Sequence, residues 1–339
     1  MAVPQKETSK NIHKVVWAID PFHEDPAIQL TAARALQCLH NDTPFTTQPV
    51  SLLVAGRYDR ESHYFLETWN ELEQVAEKNL EKMLKGFKLP GLLKPVLIRQ
   101  QSAAQSRGVN TLLKFAFDEK ADEILVSSHG RRGTSRILMG SFAESLVLRS
   151  PLPTLVVNPN VQKVARVKNI LFPTDFSDKS KIAFDRVLDL CREGDTKVLL
   201  FHKMQYLYPE FGYPFVIPAV SKNSIRDLVA SAEKQAAEWT RLAERKGVIV
   251  KAHVSGKPGY ALDEIVRAAK KLGPSGMIAM ASQSGALTSV ILGSLTRQVV
   301  RSAPCPILVL HPHQDTLIKK SVQELKQTVY SYGARPLFT

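Results

Sequence analysis

At 339 residues the chain is too long for one ordinary core and suits two domains of about 150 residues each. Hydrophobic residues make up 44% and charged residues 23%, a balance that excludes disordered and fibrous classes. The formal charge of +13 permits attraction to anions, but no basic block concentrates it, so a solvated basic surface is expected and nucleic-acid binding is not.

No apolar run reaches about 18 residues, and the polar start MAVPQKETSKNIHK lacks the apolar core of a secretory signal. The expectation is no membrane span and a cytoplasmic location. Cys38, Cys191 and Cys305 are widely spaced within apolar patterns, which favours buried thiols over a disulfide framework or a metal knuckle.

In chain order, the first strand is expected near 14–19 and ends at Asp20. A second follows near 50–55, then a long amphipathic segment, 57–87, with Phe65, Trp69, Leu72, Val75 and Leu80 roughly on one face. Strands near 95–99, 123–127 and 153–157 complete the first half, the last preceded by a helix beginning at Ser141. The polar stretch NPNVQKVARVKN, 158–169, joins the halves. The second half reads as strands at 169–173, 197–202, 248–254, 277–281 and 306–310, with helices at 177–192, 223–246, 259–272 and 294–302. QYLYPEFGYPFVIPAV, 205–220, is rich in aromatic residues and proline and reads as a packing segment; 315–333 has helical spacing and reads as a docked tail helix.

The halves repeat one another. HKVVWAID (13–20) resembles KNILFPTD (168–175), and ILMGSFAESLVLRSPLPTLVV (137–157) resembles VILGSLTRQVVRSAPCPILVL (290–310). Asp175 follows Asp20 by 155 positions and Gly293 follows Gly140 by 153, so the spacing survives across the duplication. Short, continuously apolar strands alternating with helices imply parallel sheets covered on both faces. The expected fold is α/β: two tandem doubly wound domains, each a five-stranded parallel sheet flanked by helices. The expected boundaries are 1–160, 161–312 and a helical tail at 313–339. The last strands would lie at sheet edges, and their pairing would make an internal pseudo-dimer.

Doubly wound domains bind ligands beyond the carboxyl ends of their strands, which directs attention to Asp20, Asp175 and the loop SSHGRRGTSRILMGS, 127–141. Ser141 with Glu144 fits a capping box, while free amides at a helix start, glycines and Arg131, Arg132 and Arg136 fit an anion site. Each aspartate also fits the simpler role of capping the first helix. His129 and His202 are weak candidates for ligand contact, and a metal pair at His311 and His313 is not expected.

Together these motifs resemble the universal stress protein family in tandem form. Gly130, nine residues, Gly140 and Ser141 match that family's G-x-x-G-x9-G-[ST] pattern, with Ser127 in place of the first glycine; NILFPTDFSDKSKIAFDRV, SGKPGYALDEIV and PCPILVL resemble it in the second half. There Gly293 and Ser294 match, but Gln283 stands where a glycine is expected. The resemblance implies that Asp20 and Asp175 contact the adenine end of a nucleotide and that Ala55 and His202 edge the base. Ser127, Gly130, Gly140, Ser141 and Phe142 would line ribose and phosphates. It implies ATP, accompanied by a divalent ion such as Mg2+, in the first domain in preference to the second. The implied role is ligand-dependent regulation in a stress response; an interaction scaffold of the same fold without nucleotide is the alternative. Protein partners and a homo-oligomer stay open. The G-x-G-x-x-G, P-loop, G-x-S-x-G and H-E-x-x-H patterns are absent, so no dedicated enzyme is expected, at most slow ATP hydrolysis.

Overall fold

The computed structural model describes residues 12–23, 26–54, 57–59, 64–66, 68–85, 87–100, 105–128, 141–191, 195–204, 222–257, 259–282, 289–311 and 335–336. Gly130, Arg131, Arg132, Arg136, Gly140, Ala55, Gln283, His129, His313, the 205–220 segment and the expected tail helix lie outside them.

The first half runs β1 (His13–Ala18), α1 (Pro26–Leu39), β2 (Phe45–Val54), β3 (Arg57–Asp59), β4 (Tyr64–Leu66), α2 (Trp69–Leu84) and β5 (Val96–Gln100). It continues through α3 (Gln105–Asp118), β6 (Glu123–Ser127), α4 (Ser141–Arg149) and β7 (Thr154–Val157). The second half runs β8 (Asn169–Pro173), α5 (Asp178–Cys191), β9 (Lys197–Lys203), α6 (Lys222–Arg245) and β10 (Val250–Ser255). Then come α7 (Ala261–Leu272), β11 (Gly276–Ala281), α8 (Ser289–Ser302), β12 (Ile307–Leu310) and the short β13 (Arg335–Pro336).

The long amphipathic segment expected over 57–87 divides into a hairpin and a helix. β3 pairs antiparallel with β4, so Phe65 belongs to a strand. Thr68 then starts α2 with a complete capping box: its hydroxyl accepts from Glu71 N at 3.3 Å, and its own N–H donates to Glu71 Oε2 at 3.1 Å.

One sheet spans the chain in the order β10-β9-β8-β11-β12-β7-β6-β1-β2-β5-β13. Within each half the neighbouring strands are parallel, and β13 adds to β5 antiparallel. The halves meet where β7 and β12 pair antiparallel, with Ile307 opposite Val156, Leu308 opposite Leu155 and Val309 opposite Thr154. Leu155 and Leu308 are the same position of the repeat, so a pseudo-twofold axis passes between them and the seam is isologous. Pairing the two apolar last strands removes two exposed edges at once.

Alternation along the strands sends side chains to two core layers. Val15 and Trp17 of β1 face one, with α1, α2, α5 and α6, while Val16 faces the other, with α3, α4, α7 and α8. Each layer runs across the seam: Leu155 and Phe172 share one, Val156 and Val309 the other.

The residue after each last strand reaches across the axis. Asn158 Nδ2 donates to Val300 O (2.8 Å) and Ala303 O (2.9 Å), while His311 Nε2 donates to Val147 O (2.9 Å). Asn158 and His311 are repeat equivalents, and so are Val147 and Val300. Each half thus satisfies carbonyls at the C-terminal end of the other half's last helix, groups a helix leaves unpaired.

Candidate functional site

The strand order reverses between β1 and β6 in the first half and between β8 and β11 in the second, so a crevice opens beyond their carboxyl ends in each. Asp20 stands just past β1. Its N–H donates to Gln29 Oε1 (2.8 Å), its carbonyl accepts from Gln29 Nε2 (2.7 Å), and its Oδ1 accepts from Phe22 N (3.0 Å). Gln29 is fully buried in α1, so one amide clamps the backbone on both sides of the aspartate. Asp175 is held differently: its Oδ1 accepts from Ser177 N (3.0 Å), Ser177 Oγ (2.7 Å) and Ser180 Oγ (2.6 Å).

Neither aspartate is itself the helix cap. α1 starts at Pro26, six positions beyond Asp20, and α5 is capped by Ser177, whose Oγ accepts from Ser180 N at 3.3 Å. Asp175 orients that capping serine.

The parallel register changes one sequence-level pairing. Ile19 N donates to Val50 O (3.0 Å) and Thr174 N to Phe201 O (2.9 Å). The position after the crossing is therefore Ser51 in one half and His202 in the other. Both donate to the carbonyl preceding the aspartate: Ser51 Oγ to Ile19 O at 2.9 Å, His202 Nδ1 to Thr174 O at 2.8 Å. At this crossing Ser51, rather than Ala55, is the counterpart of His202, because β2 runs on to Val54 beyond it.

At the ends of β6 and β11, Ser127, Ser128 and Ser282 are buried with hydroxyls that have no partner among the described residues. Ser128 and Ser282 are repeat equivalents, and their N–H groups donate to Val157 O (2.8 Å) and Leu310 O (2.7 Å). Hydroxyls stranded at a strand terminus are ready to bond a ligand or an ordered water.

The last helices differ. α4 begins at Ser141, so its first amides have no intrahelical acceptor. α8 begins at Ser289, because the SVIL run continues the helix upstream, and Gly293 and Ser294 fall inside it with their amides taken up by the helix. The expectation that the Gly-Ser pair opens a helix holds in the first half only. Phe142 packs into the core beside Gly108. Glu144 does not close a capping box; its Oε2 accepts from Arg301 Nη2 at 2.6 Å and its Oε1 lies 3.3 Å from Arg297 Nε.

The second crevice is a defined cleft of about 320 Å³ bounded by Asp175, Ser180, His202, Lys203, Ile265 and Thr296, among others. Lys203 is a buried cation missed at the sequence level. Its ammonium donates to Met204 O (3.0 Å) and Lys257 O and lies 3.9 Å from Glu264 Oε1. Phe176, in the left-handed region at φ 59, puts its ring 4.9 Å from His202 and edge-on to Trp239 at 5.3 Å. A larger groove of about 1250 Å³ runs along the inter-domain linker, α7 and the C-terminal end of α8.

Other titratable groups are buried elsewhere. His311, next to the seam, has its pKa pushed down to about 4, chiefly by burial, with the Arg186 charge adding and the Val147 bond opposing. Burial pushes the Cys191 and Cys305 thiols up to about 12; both are buried and free, as the sequence suggests, while Cys38 is half-buried. At the amino ends of the first half's strands, Glu123 Oε2 accepts from His40 Nε2 (2.7 Å) and His13 Nε2 (3.0 Å). Burial alone would raise the Glu123 pKa, but the charge of His40 and the bonds from both rings hold it near 2. Burial alone would lower the His13 pKa; Glu123 and Asp122 raise it instead.

The universal stress protein family profile matches residues 12–158 and 166–311. The chain belongs to the universal stress protein family. It carries two copies, so it is a tandem member. Universal stress protein MJ0531 of Methanocaldococcus jannaschii is 27% identical over 148 residues, 42% of this chain and 81% of that protein. A universal stress protein structure from Archaeoglobus fulgidus superposes with a TM-score of 0.57 at 14% identity, covering 88% of this chain and 96% of that one. A functionally unknown protein, PA1789 of Pseudomonas aeruginosa, gives 0.56 at 15% identity, covering 94% and 99%. At these identities the two structures establish the fold alone. Among the described residues, no helix of this universal stress protein is long and apolar enough to cross a membrane.

Proposed function

We propose that the first half binds an adenine nucleotide, ATP with a divalent ion as its counter-charge, and that the bound state regulates partner contacts in a stress response. The observation that carries this is the asymmetry of the last helices. Ser141 opens α4, whose first amides have no acceptor within the helix, and Asp20, Ser127 and Ser128 lie at the carboxyl ends of neighbouring strands, whereas Gly293 and Ser294 lie within α8. Helix-terminal amides and the helix dipole favour phosphate, and a carboxylate at the adjacent strand end suits the donors of a nucleoside. Gly130, Arg131, Arg132 and Gly140 belong to this reading through the sequence motif. In the second crevice, Lys203 and Asp175 are engaged with protein groups.

A scaffold without nucleotide is the second reading. It is favoured by Asp20 Oδ1, which already accepts from Phe22 N as part of a local turn. Mass spectrometry of small molecules released from the freshly purified, denatured chain separates the two. One adenine nucleotide per chain, with Mg-ATP affinity lost in Gly140→Trp, supports the first; no nucleotide and no heat on titrating Mg-ATP supports the second.

A further inference from the structure

His13, His40 and Glu123 form a cluster that the nucleotide reading does not use. It lies at the amino ends of the strands, the opposite end of the sheet from the crevice. His13 opens β1, His40 follows α1, and Glu123 opens β6. One donor atom of each lies within 4.8 Å of the others. His40 and Glu123 side chains are 5% and 3% exposed, and His13 at 26% leaves one side open to water.

Two features set the cluster apart from a structural ion pair. The first is its cost. Glu123 faces Val15 across the sheet, and in the second half the residue facing the equivalent Ile170 is Met277, fully buried. The fold therefore accepts an apolar side chain at this place, and a buried carboxylate shared by two imidazoles is not explained by stability, since apolar replacements of such groups are often neutral or better. Likewise His13 corresponds to the exposed Lys168. The second half thus carries neither the histidine nor the carboxylate at these two positions. The second feature is that Glu123 Oε1 is buried with no partner, leaving a lone-pair donor on the carboxylate unspent.

We infer that His13, His40 and Glu123 bind a divalent transition-metal ion, with Zn2+ the best fit. Two imidazole nitrogens and one carboxylate oxygen select zinc and its neighbours over Mg2+ or Ca2+, which take oxygen ligands. Ligand atoms of a tetrahedral zinc site are about 3.3 Å apart, and the N to O separations here, 2.7 and 3.0 Å, are hydrogen-bond lengths that must open by about 0.6 and 0.3 Å as an ion replaces the shared protons. Glu123 Oε1 or a water entering past His13 completes the shell. Asp122 Oδ2, 3.9 Å from His13 Nδ1 and fixed by Lys14 N at 2.8 Å, is placed to orient the ring from behind, as carboxylates do for ligating histidines. A bound ion would tie β1, α1 and β6 together, independently of nucleotide.

The test is calorimetric titration of the chelator-treated full chain with Zn2+, alongside the d–d absorption of added Co2+. Glu123→Met copies the second half's own residue, and His13→Lys copies Lys168, so circular dichroism is expected to show both folded. One equivalent of Zn2+ bound to the wild type, at least about tenfold weaker in both variants but unchanged in His202→Gln, is the expected result. No binding by the wild type, or equal binding by Glu123→Met, overturns the inference. Should Glu123→Met not fold, the same comparison is read on His13→Lys.

Discussion

Glu144 and Arg297 occupy the same position of the two repeats, and in the folded chain they form an ion pair across the pseudo-twofold, Oε1 to Nε 3.3 Å. In an assembly of two identical chains a residue this close to the axis would meet its own copy, carboxylate against carboxylate. Duplication allowed the two copies to diverge, and Arg301 adds a second cation to Glu144 at 2.6 Å.

Arg297→Gln is therefore expected to lower stability slightly and Arg297→Glu more. With Arg297 45% exposed, the coupling in a double-mutant cycle with Glu144→Gln should be about 0.2–1 kcal/mol and should shrink with added salt. Thermal or urea unfolding reads it; a coupling of zero at low salt would show the pair to be energetically silent.

His311 makes the same seam sensitive to pH. Its folded pKa, about 4, lies below the ordinary value of 6.5, so between these limits the unfolded chain binds a proton that the folded chain refuses. Stability from this group is complete above about pH 6.5 and is lost as pH falls toward 4, on the order of 3 kcal/mol in all. His311→Asn, which copies Asn158, should keep the helix contact and flatten the acid limb of a stability profile recorded by urea unfolding. An unchanged acid limb would place the pH sensitivity elsewhere.

Gln29→Leu removes the two side-chain bonds to the Asp20 backbone, whose carbonyl also accepts from His23 N at 3.3 Å. Taking the Gln29 acceptor away from the partly buried Asp20 N–H should cost about 1–3 kcal/mol where water cannot replace it. On the nucleotide reading, ATP affinity should fall several-fold in the same variant, while Ser177→Ala, beside the other aspartate, should leave ATP affinity unchanged. Equal affinity in Gln29→Leu and wild type would detach Asp20 from ligand binding.

The five parallel strands of each half are short apolar runs punctuated by turns, and each lies within a few residues of where the pattern puts it, because local periodicity and burial coincide in a sheet covered on both faces. The single apolar face expected over 57–87 failed for a local reason: Phe65 lies in a strand, and the capping box at Thr68 and Glu71 starts the helix only there. That signal is visible in the sequence to a reader who looks for caps before stripes.

By itself the sequence determined the duplication, the α/β class and the family, since each rests on repeated local patterns. It also singled out Asp20, Asp175 and Ser127 at strand ends. Only the tertiary structure decided what meets there. Ser51 matches His202 because parallel register is fixed by packing across the sheet, which no single strand encodes. His13 and His40 reach Glu123 across 110 and 83 positions, and Gln29 reaches Asp20 from the far side of a turn. Convergence of that kind is set by how the layers stack, and it leaves no spacing in the chain to be read.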